Sequence, residues 1–330
     1  MPTIVRIHGI GGPENLHFDE LPPQEPGKGE ARLRVKAIGL NRAESMFYHG
    51  MYLETPQLPS RLGYEAAGVV EAVGEGVDKS WVGKTVATVP SFSMTRYGTL
   101  GEEAVVPVSA LGEYPANLTP TQAAAIWMQY LTAYGALVRI GGVKAGDFVS
   151  IAAASSSVGL AAIQIVRDAG ATAIALTRTS AKRAELLSLG ASHVIASEEE
   201  DYAARAQEIT GGQGVRLTFD PVAGAFVEKL AAAAAPGGII FEYGALSLAP
   251  TPFPLTSALG KGLSLRGYTM MEIAQNPKLL EGAKKYVFDR LADGRFAPKI
   301  ARTFPFEQTV EAYRFLESNK QVGKVVITVP

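Results

Sequence analysis

The chain has 330 residues, 47% of them hydrophobic and 19% charged, which is enough for two domains with separate cores. A formal net charge of −1 excludes the basic surface of a nucleic-acid binder, and no apolar run approaches the ~20 residues of a membrane span. The absence of cysteine excludes disulfides, thiolate nucleophiles and cysteine-ligated zinc, and the four histidines lack metal-ligand spacing. We therefore predict no metal site and a small-molecule partner.

The N-terminal part, residues 1–121, is predicted to form a β-rich, barrel-like domain. It begins Met-Pro-Thr-Ile-Val, without the charged and apolar regions of a secretion signal, so we expect a cytoplasmic protein. Short alternating segments separated by glycine and proline are typical of such domains. The predicted strands are 31–38, 67–73, 85–90 and 103–107.

Residues 122–268 alternate between predicted helices and strands, which indicates a doubly wound parallel sheet of the Rossmann type. We predict helices at 122–139, 159–168, 182–189 and 226–234, and strands at 148–152, 172–177, 193–195, 217–220, 238–243 and 263–268. The alanine run 231–235 is assigned to a helix because alanine is the best helix former. Residues 269–330, with a helix at 277–291 and a strand at 321–329, are expected to rejoin the first domain.

The segment 147–167 runs from an apolar strand through a turn of small residues into a helix, an arrangement that binds the pyrophosphate of a dinucleotide. The Gly-x-Gly-x-x-Gly positions read Ala154, Ser156 and Gly159, so one glycine remains. Such turns also occur in sheets that bind nothing, so the fingerprint alone does not decide whether this turn binds a dinucleotide. The cofactor contacts predicted here are Ala154, Ser155, Ser156, Ser157, Val158 and Gly159.

The end of the second predicted strand carries no carboxylate for the ribose 2′-hydroxyl of NAD. Cations and hydroxyl groups follow it instead, and these suit a 2′-phosphate, so the sequence predicts NADPH as the cofactor. The predicted contacts are Thr177, Arg178, Thr179, Ser180, Lys182 and Arg183. The alternative is that Lys182 and Arg183 are solvated helix residues.

Several segments together resemble the medium-chain dehydrogenase/reductase superfamily, in particular its zinc-free quinone oxidoreductase and enoyl reductase branch. They are Asn41-Arg-Ala-Glu44, Gly50-Met-Tyr52, the glycine-bounded segment 63–74, Leu131-Thr-Ala-Tyr134 and the Ser-Ser-Val-Gly turn. The resemblance covers essentially the whole chain. It implies an α/β protein with a GroES-like catalytic domain, built from residues 1–121 and 269–330, and a Rossmann NADP(H)-binding domain at 122–268.

The resemblance places Asn41 and Tyr64 where zinc-dependent members have a cysteine and a histidine, so Glu65 alone remains of the catalytic zinc ligands. One carboxylate cannot hold zinc. We therefore expect zinc-independent hydride transfer from NADPH to a quinone or an α,β-unsaturated carbonyl compound. Two alternatives stay open: a zinc-dependent alcohol dehydrogenase, and an NADPH-binding protein without turnover.

Three residues are predicted to take part in the reaction: Tyr52, Tyr64 and Asn41. Hydride addition to an enone leaves an enolate that needs a proton, and a tyrosine hydroxyl can supply it. Tyr52 matches the catalytic tyrosine of enoyl reductases in the family. The alternatives are that both tyrosine rings line an apolar cleft and that Asn41 belongs to a turn.

The resemblance implies further cofactor contacts and a homodimer. Thr132 matches a threonine placed against the nicotinamide, with helix packing as the alternative. The strand end at Tyr243, Gly244 and Ala245 is expected to face the nicotinamide. Asn319, in a segment with Lys320 and Lys324 that folds toward the cofactor in the family, equally fits a solvated turn. We expect the dimer to form along residues 263–268.

Overall fold

The computed structural model describes all 330 residues and divides into two compact units. The first comprises Met1–Met128, Lys284–Ala292 and Ala297–Pro330, and the second comprises Gln129–Ala283 and Asp293–Phe296. The sequence analysis placed the boundaries at residues 121 and 268, where the hydrophobic pattern changes. Packing places them at Met128 and Ala283.

The N-terminal part of the first unit is built mainly from antiparallel strands. Strand β3 alternates buried Leu33 and Val35 with more exposed Arg32 and Arg34, as expected when one face of a sheet covers a core. The elements are β1 (Thr3–Ile7), β2 (Leu16–Glu20), β3 (Glu30–Gly39), α1 (Arg42–Tyr48), β4 (Ser60–Arg61), β5 (Glu65–Val73), β6 (Thr85–Thr88), α2 (Met94–Tyr97), β7 (Glu103–Pro107), β8 (Leu111–Glu113) and α3 (Pro120–Ala123).

The second unit contains a six-stranded parallel sheet in the order β11-β10-β9-β12-β13-β14, which confirms the predicted doubly wound sheet. The strand order reverses between β9 and β12, where such sheets bind ligands beyond their carboxyl ends. The start of α4 and the end of α11 belong to the first unit. The elements of this part of the chain are α4 (Trp127–Ala133), β9 (Phe148–Ile151), α5 (Ser157–Asp168), β10 (Thr172–Thr177), α6 (Arg183–Ser188), β11 (His193–Ala196), α7 (Tyr202–Ile209), β12 (Val215–Asp220), α8 (Val227–Ala233), β13 (Ala234–Glu242), α9 (Leu255–Lys261), β14 (Ser264–Gly267), α10 (Met271–Ala274) and α11 (Pro277–Ala292).

The C-terminal residues add β15 (Ile300–Pro305), α12 (Thr309–Glu317) and β16 (Lys324–Thr328) to the first unit. Strand β16 pairs antiparallel with β3, so the last strand of the chain lies beside one of the first. The resulting seven-stranded sheet runs β15-β16-β3-β5-β6-β8, with β7 also paired to β3. None of the helices is both long and apolar enough to cross a membrane.

Two local predictions were wrong. The single helix predicted at 122–139 is instead α3, α4 and a π-helix at Tyr134–Ile140. The alanine run leaves the helix at Ala234, which begins β13 and pairs with Val215 of β12. Pairing in the parallel sheet overrides the helix propensity of alanine, because propensity is a weak preference beside tertiary contacts.

Candidate functional site

The turn between β9 and α5 brings helix and turn backbone into direct contact at Gly159. A Cβ atom on Gly159 would lie 2.7 Å from both Cα and O of Ala154. The hydroxyl of Ser156 caps α5, because its Oγ accepts the Gly159 N–H at 3.0 Å. Ser157 and Val158 form the first turn of the helix and are half-buried. The turn therefore keeps a glycine at the one position where no side chain fits.

A cationic edge lies between this turn and the end of β10. The ammonium of Lys182 donates to Ser155 Oγ at 3.1 Å and so connects the strand end to the turn. Partial burial lowers the pKa of Lys182, and the positive charge of the nearby Arg178 lowers it further. Two adjacent cations beside a hydroxyl form a suitable site for a phosphate group.

Not every polar group predicted at this strand end is available to a ligand. Arg183 donates to the carbonyl oxygen of Val194 at 2.7 Å and to Glu200 Oε2 at 2.5 Å, so its guanidinium stabilises the neighbouring strand end. The Ser180 N–H donates to Glu199 Oε1 at 3.0 Å. The sequence analysis did not single out Glu199, whose carboxylate reaches this edge from the loop after β11.

The other predicted cofactor contacts have varied surroundings. The Thr177 hydroxyl donates to the carbonyl oxygen of Thr179 at 2.8 Å, and Thr132 is buried in α4. Asn319 lies in the first unit, where its Oδ1 accepts from Arg42 at 2.6 Å. The three predicted contacts after β13 are Tyr243, Gly244 and Ala245. The ring of Tyr243 stacks on Phe219, and Gly244 and Ala245 are exposed. Their cofactor roles stay predictions.

Two carboxyl groups lie side by side where β12 and β13 end. Asp220 and Glu242 are paired in register, and Asp220 accepts the N–H groups of Val222 at 2.7 Å and Ala223 at 3.2 Å. Burial, followed by the charge of Asp220, raises the pKa of Glu242 to about 8. Glu242 therefore holds a proton at neutral pH while lying at the edge where the sheet binds ligands.

The substitution Glu242→Gln is expected to change how stability depends on pH. The pKa of Glu242 is raised on folding from 4.5 to about 8, so the folded state binds more protons between these values. This contribution to stability is complete below pH 4.5 and is lost as pH rises to 8. As pH rises from 5 to 8, we expect the Tm of the native protein to fall relative to the Tm of the Glu242→Gln variant. The exposed Glu228→Gln is the control, and parallel curves for all three proteins would contradict the assignment.

In the first unit, Tyr52 and Tyr64 form a hydrogen-bonded pair. The hydroxyl of Tyr64 donates to that of Tyr52 at 3.4 Å, and the rings meet edge to face. Burial raises the pKa of Tyr52, and the hydrogen bond from Tyr64 acts in the opposite direction. Tyr64 is almost completely buried, whereas Tyr52 is partly exposed, so Tyr52 is the member of the pair that can reach a ligand.

The neighbouring Tyr48 and His49 are bound to a carboxylate in α12. The Tyr48 hydroxyl donates to Glu317 Oε1 at 2.6 Å, and Ser45 Oγ donates to the same oxygen at 2.6 Å. The His49 ring lies 3.1 Å from it. These contacts hold α1 against α12 and leave Tyr52 as the available tyrosine hydroxyl of this region.

The side chain of Asn41 is fully engaged within the protein. Its Nδ2 donates to the carbonyl oxygen of Gly39 and to Glu44 Oε1, both at 3.1 Å. Its Oδ1 accepts from the ammonium of Lys324 at 2.5 Å. The predicted part of Asn41 in the reaction stays a prediction, but its polar atoms hold the start of α1 in place.

The residues around Glu65 do not fit a zinc site. Glu65 Oε1 accepts the Met128 N–H at 2.9 Å, and Oε2 is ion-paired with Lys324, so both oxygens are engaged. Its neighbours Asn41 and Tyr64 provide an amide and a phenol, which are poor zinc ligands. No group of three or more His, Cys, Asp or Glu side chains in the protein could hold a metal ion.

Comparisons with known proteins agree with the two-unit architecture. Residues 27–134 match the family model of the alcohol dehydrogenase GroES-like domain, and residues 157–285 match that of the zinc-binding dehydrogenases. A 2-haloacrylate reductase from a Burkholderia species is 30% identical over 97% of each protein. A solved NAD-dependent alcohol dehydrogenase is 32% identical, with a TM-score of 0.91 over 100% of both chains. The Escherichia coli quinone oxidoreductase complexed with NADPH is 30% identical, with a TM-score of 0.90 over 99% of each.

Proposed function

Because the chain belongs to the medium-chain dehydrogenase/reductase superfamily, in its quinone oxidoreductase-like branch, we propose that it is an NADPH-dependent reductase of α,β-unsaturated carbonyl compounds. Its likeness to a 2-haloacrylate reductase supports an activated alkene as the acceptor. The observation that carries the proposal is the Tyr52–Tyr64 pair, which presents one hydroxyl proton beside a second hydrogen-bond donor.

The reaction needs a hydride and a proton, and the chain provides for each separately. NADPH, when bound, supplies the hydride. Hydride addition to the β-carbon leaves an enolate, whose α-carbon takes a proton from the Tyr52 hydroxyl. The Tyr64 hydroxyl then donates to the resulting Tyr52 phenolate and stabilises its charge until water returns the proton. Such an acceptor is electrophilic enough to react without a Lewis acid.

A quinone is the second candidate acceptor, supported by the likeness to the Escherichia coli quinone oxidoreductase. Hydride addition to a quinone produces a hydroquinone anion, and its oxygen can be protonated by water. Reduction of a quinone therefore uses the same cofactor but depends less on Tyr52. The relative rates for the two acceptor classes distinguish the candidates.

The proposed cofactor preference is tested by the double substitution Arg178→Ala and Lys182→Ala. Removal of both cations takes away the groups proposed to bind the 2′-phosphate, so Kd for NADPH should rise by roughly 100-fold and Kd for NADH by less than roughly three-fold. Fluorescence titration with both nucleotides measures this. The exposed pair Lys229→Ala and Lys278→Ala removes the same charge elsewhere and is the control. Equal losses for both nucleotides would contradict the assignment.

The proposed activity is tested by following NADPH absorbance with a panel of enones and quinones, with and without EDTA. We expect oxidation of NADPH that EDTA does not inhibit. Nucleotide binding without turnover by any acceptor would favour a non-catalytic NADPH-binding protein. Chelator-sensitive turnover of alcohols with stoichiometric zinc would favour an alcohol dehydrogenase.

We also propose that the protein is a homodimer. Strand β14 is the last strand of its sheet and pairs only with β13, which leaves its outer edge open. The residues before it include large exposed apolar side chains: Leu248 at 81%, Phe253 at 62% and Leu259 at 77%. Such a surface is typical of an interface. Light scattering should give twice the 34.9 kDa chain mass, and the monomer mass would contradict the proposal.

A further inference from the structure

The loop that carries Tyr52 has few contacts that fix its conformation. It runs between α1 and β4. Residues 53–58 make no hydrogen bond from backbone to backbone, and only Pro56 among them is buried. A segment with so few backbone hydrogen bonds and buried contacts has low local stability. Another group must therefore keep the Tyr52 hydroxyl beside that of Tyr64.

The Glu54 carboxylate attaches this loop to the start of α2. Its Oε1 accepts the hydroxyl of Ser93 and the Thr95 N–H at 3.3 Å, and its Oε2 accepts the Met94 N–H at 3.2 Å. The first N–H groups of a helix have no partner within the helix, and a carboxylate is a favourable acceptor for them. Both carboxylate oxygens are therefore engaged at a position two residues after Tyr52.

The residues around α2 also contact Tyr64. The ring centroids of Phe92 and Tyr64 lie 5.8 Å apart. After α2, the Thr99 N–H donates at 3.2 Å to the carbonyl oxygen of Gly63, the residue before Tyr64. The same short stretch of chain therefore holds Tyr64 directly and holds Tyr52 through the carboxylate in its loop.

We propose that Glu54 is a positioning residue for Tyr52. Its carboxylate fixes the loop to α2, and the fixed loop keeps the Tyr52 hydroxyl 3.4 Å from that of Tyr64. The inference rests on the proposed function, in which Tyr52 donates the proton. Proton donation depends on this geometry, because a displacement of about 1 Å can lower a rate by about 10²-fold. Glu54 acts through the loop and needs no contact with a substrate.

The first test measures the activity of Glu54→Ala with both acceptor classes. Loss of the carboxylate lets Tyr52 move, so kcat for an α,β-unsaturated ketone should fall by roughly 10- to 100-fold and kcat for a quinone by less than roughly three-fold. Glu54→Gln retains one acceptor oxygen and should recover part of the ketone rate. In a Tyr52→Phe background, Glu54→Ala should have little further effect, because the hydroxyl that it positions is absent. Equal losses for both acceptors, or additive losses in the double variant, would overturn the proposal.

Asp78→Ala is the matched control for this test. The Asp78 carboxylate also caps a short helix, since it accepts the Ser80 N–H at 2.8 Å, but this helix lies between β5 and β6. We expect kcat for both acceptors to be unchanged. A ketone-selective loss as large as that of Glu54→Ala would overturn the proposal, because any lost helix cap would then have the same effect.

The second test does not depend on activity. The proteins are prepared with 3-fluorotyrosine in place of Tyr52, and the fluorine NMR resonance is compared with that of the urea-unfolded protein. In Glu54→Ala the resonance should move toward the unfolded position, whereas in Asp78→Ala it should keep the native position. A native resonance in Glu54→Ala would overturn the proposal. If Glu54→Ala does not fold, Ser93→Ala removes one donor to the same carboxylate, and a native resonance in that variant would overturn the proposal equally.

The two tests separate this inference from the proposed function. A displaced resonance in Glu54→Ala, with no turnover of any acceptor by the native protein, would reject the reductase and retain Glu54 as the residue that positions Tyr52. A native resonance in Glu54→Ala, with a ketone-selective loss in Tyr52→Phe, would retain the reductase and reject the role of Glu54.

Discussion

Substitution of Tyr52 by phenylalanine is expected to lower kcat for an α,β-unsaturated ketone by about 10²–10⁴-fold, the range for loss of a general acid. Reduction of a quinone should fall by less than roughly ten-fold, because the hydroquinone oxygen can take its proton from water. The ring is retained, so apolar contacts with a substrate are preserved. Steady-state kinetics with both acceptor classes, at saturating NADPH, measure the two effects.

The matched control for this prediction is Tyr48→Phe. Tyr48 also loses a hydroxyl, but that group is bound to Glu317 and holds α1 against α12. We expect a stability loss of about 1 kcal/mol, typical of one hydrogen bond, with kcat for the ketone unchanged. If Tyr52→Phe and Tyr48→Phe reduce ketone turnover equally, or if neither does, Tyr52 is not the proton donor.

Substitution of Gly159 by alanine is expected to destabilise the protein by about 1–3 kcal/mol, as in other overpacked sites. In an exposed helix the same change would stabilise by up to about 1 kcal/mol, because alanine is the better helix former. Here the added Cβ atom would lie 2.7 Å from backbone atoms of Ala154, which cannot move as freely as a side chain. The displaced turn should also raise Kd for NADPH by at least roughly ten-fold.

Gly282→Ala provides the control, because nothing lies within 4 Å of a Cβ atom at this position in α11. It should leave stability unchanged or slightly increased and should not affect nucleotide binding. Urea denaturation and nucleotide titration of the two variants give both quantities. A Gly159→Ala protein as stable as Gly282→Ala would show that the helix and turn are less tightly packed than the structure indicates.

Much of the fold was predictable because it follows from local patterns. Strands β7 and β10 have the predicted bounds, since alternation and flanking turn residues are properties of short segments. The break before α4 and the π-helix after it were not predictable, because no proline or polar cluster marks them. Ala234 belongs to a strand and not to a helix because it pairs with Val215, which lies in another strand.

The candidate site was predictable to a smaller extent. Gly159 could be identified from its spacing in the fingerprint, and the structure adds the physical reason for the glycine. The sequence analysis treated Arg183 as a cofactor contact because it could not detect the competing partner Glu200. It grouped Lys324 with a segment near the cofactor, whereas the structure pairs Lys324 with Glu65.

The sequence by itself determined the doubly wound sheet and the chemical groups that are available. These are cations after the second strand and an amide and a phenol beside Glu65, with no cysteine in the chain. Only the tertiary structure decided which of these groups act together. Tyr64 donates to Tyr52, and Lys324 reaches Asn41 and Glu65 from the other end of the chain. The physical reason is that local patterns fix elements, whereas hydrogen bonds between distant residues depend on how those elements pack.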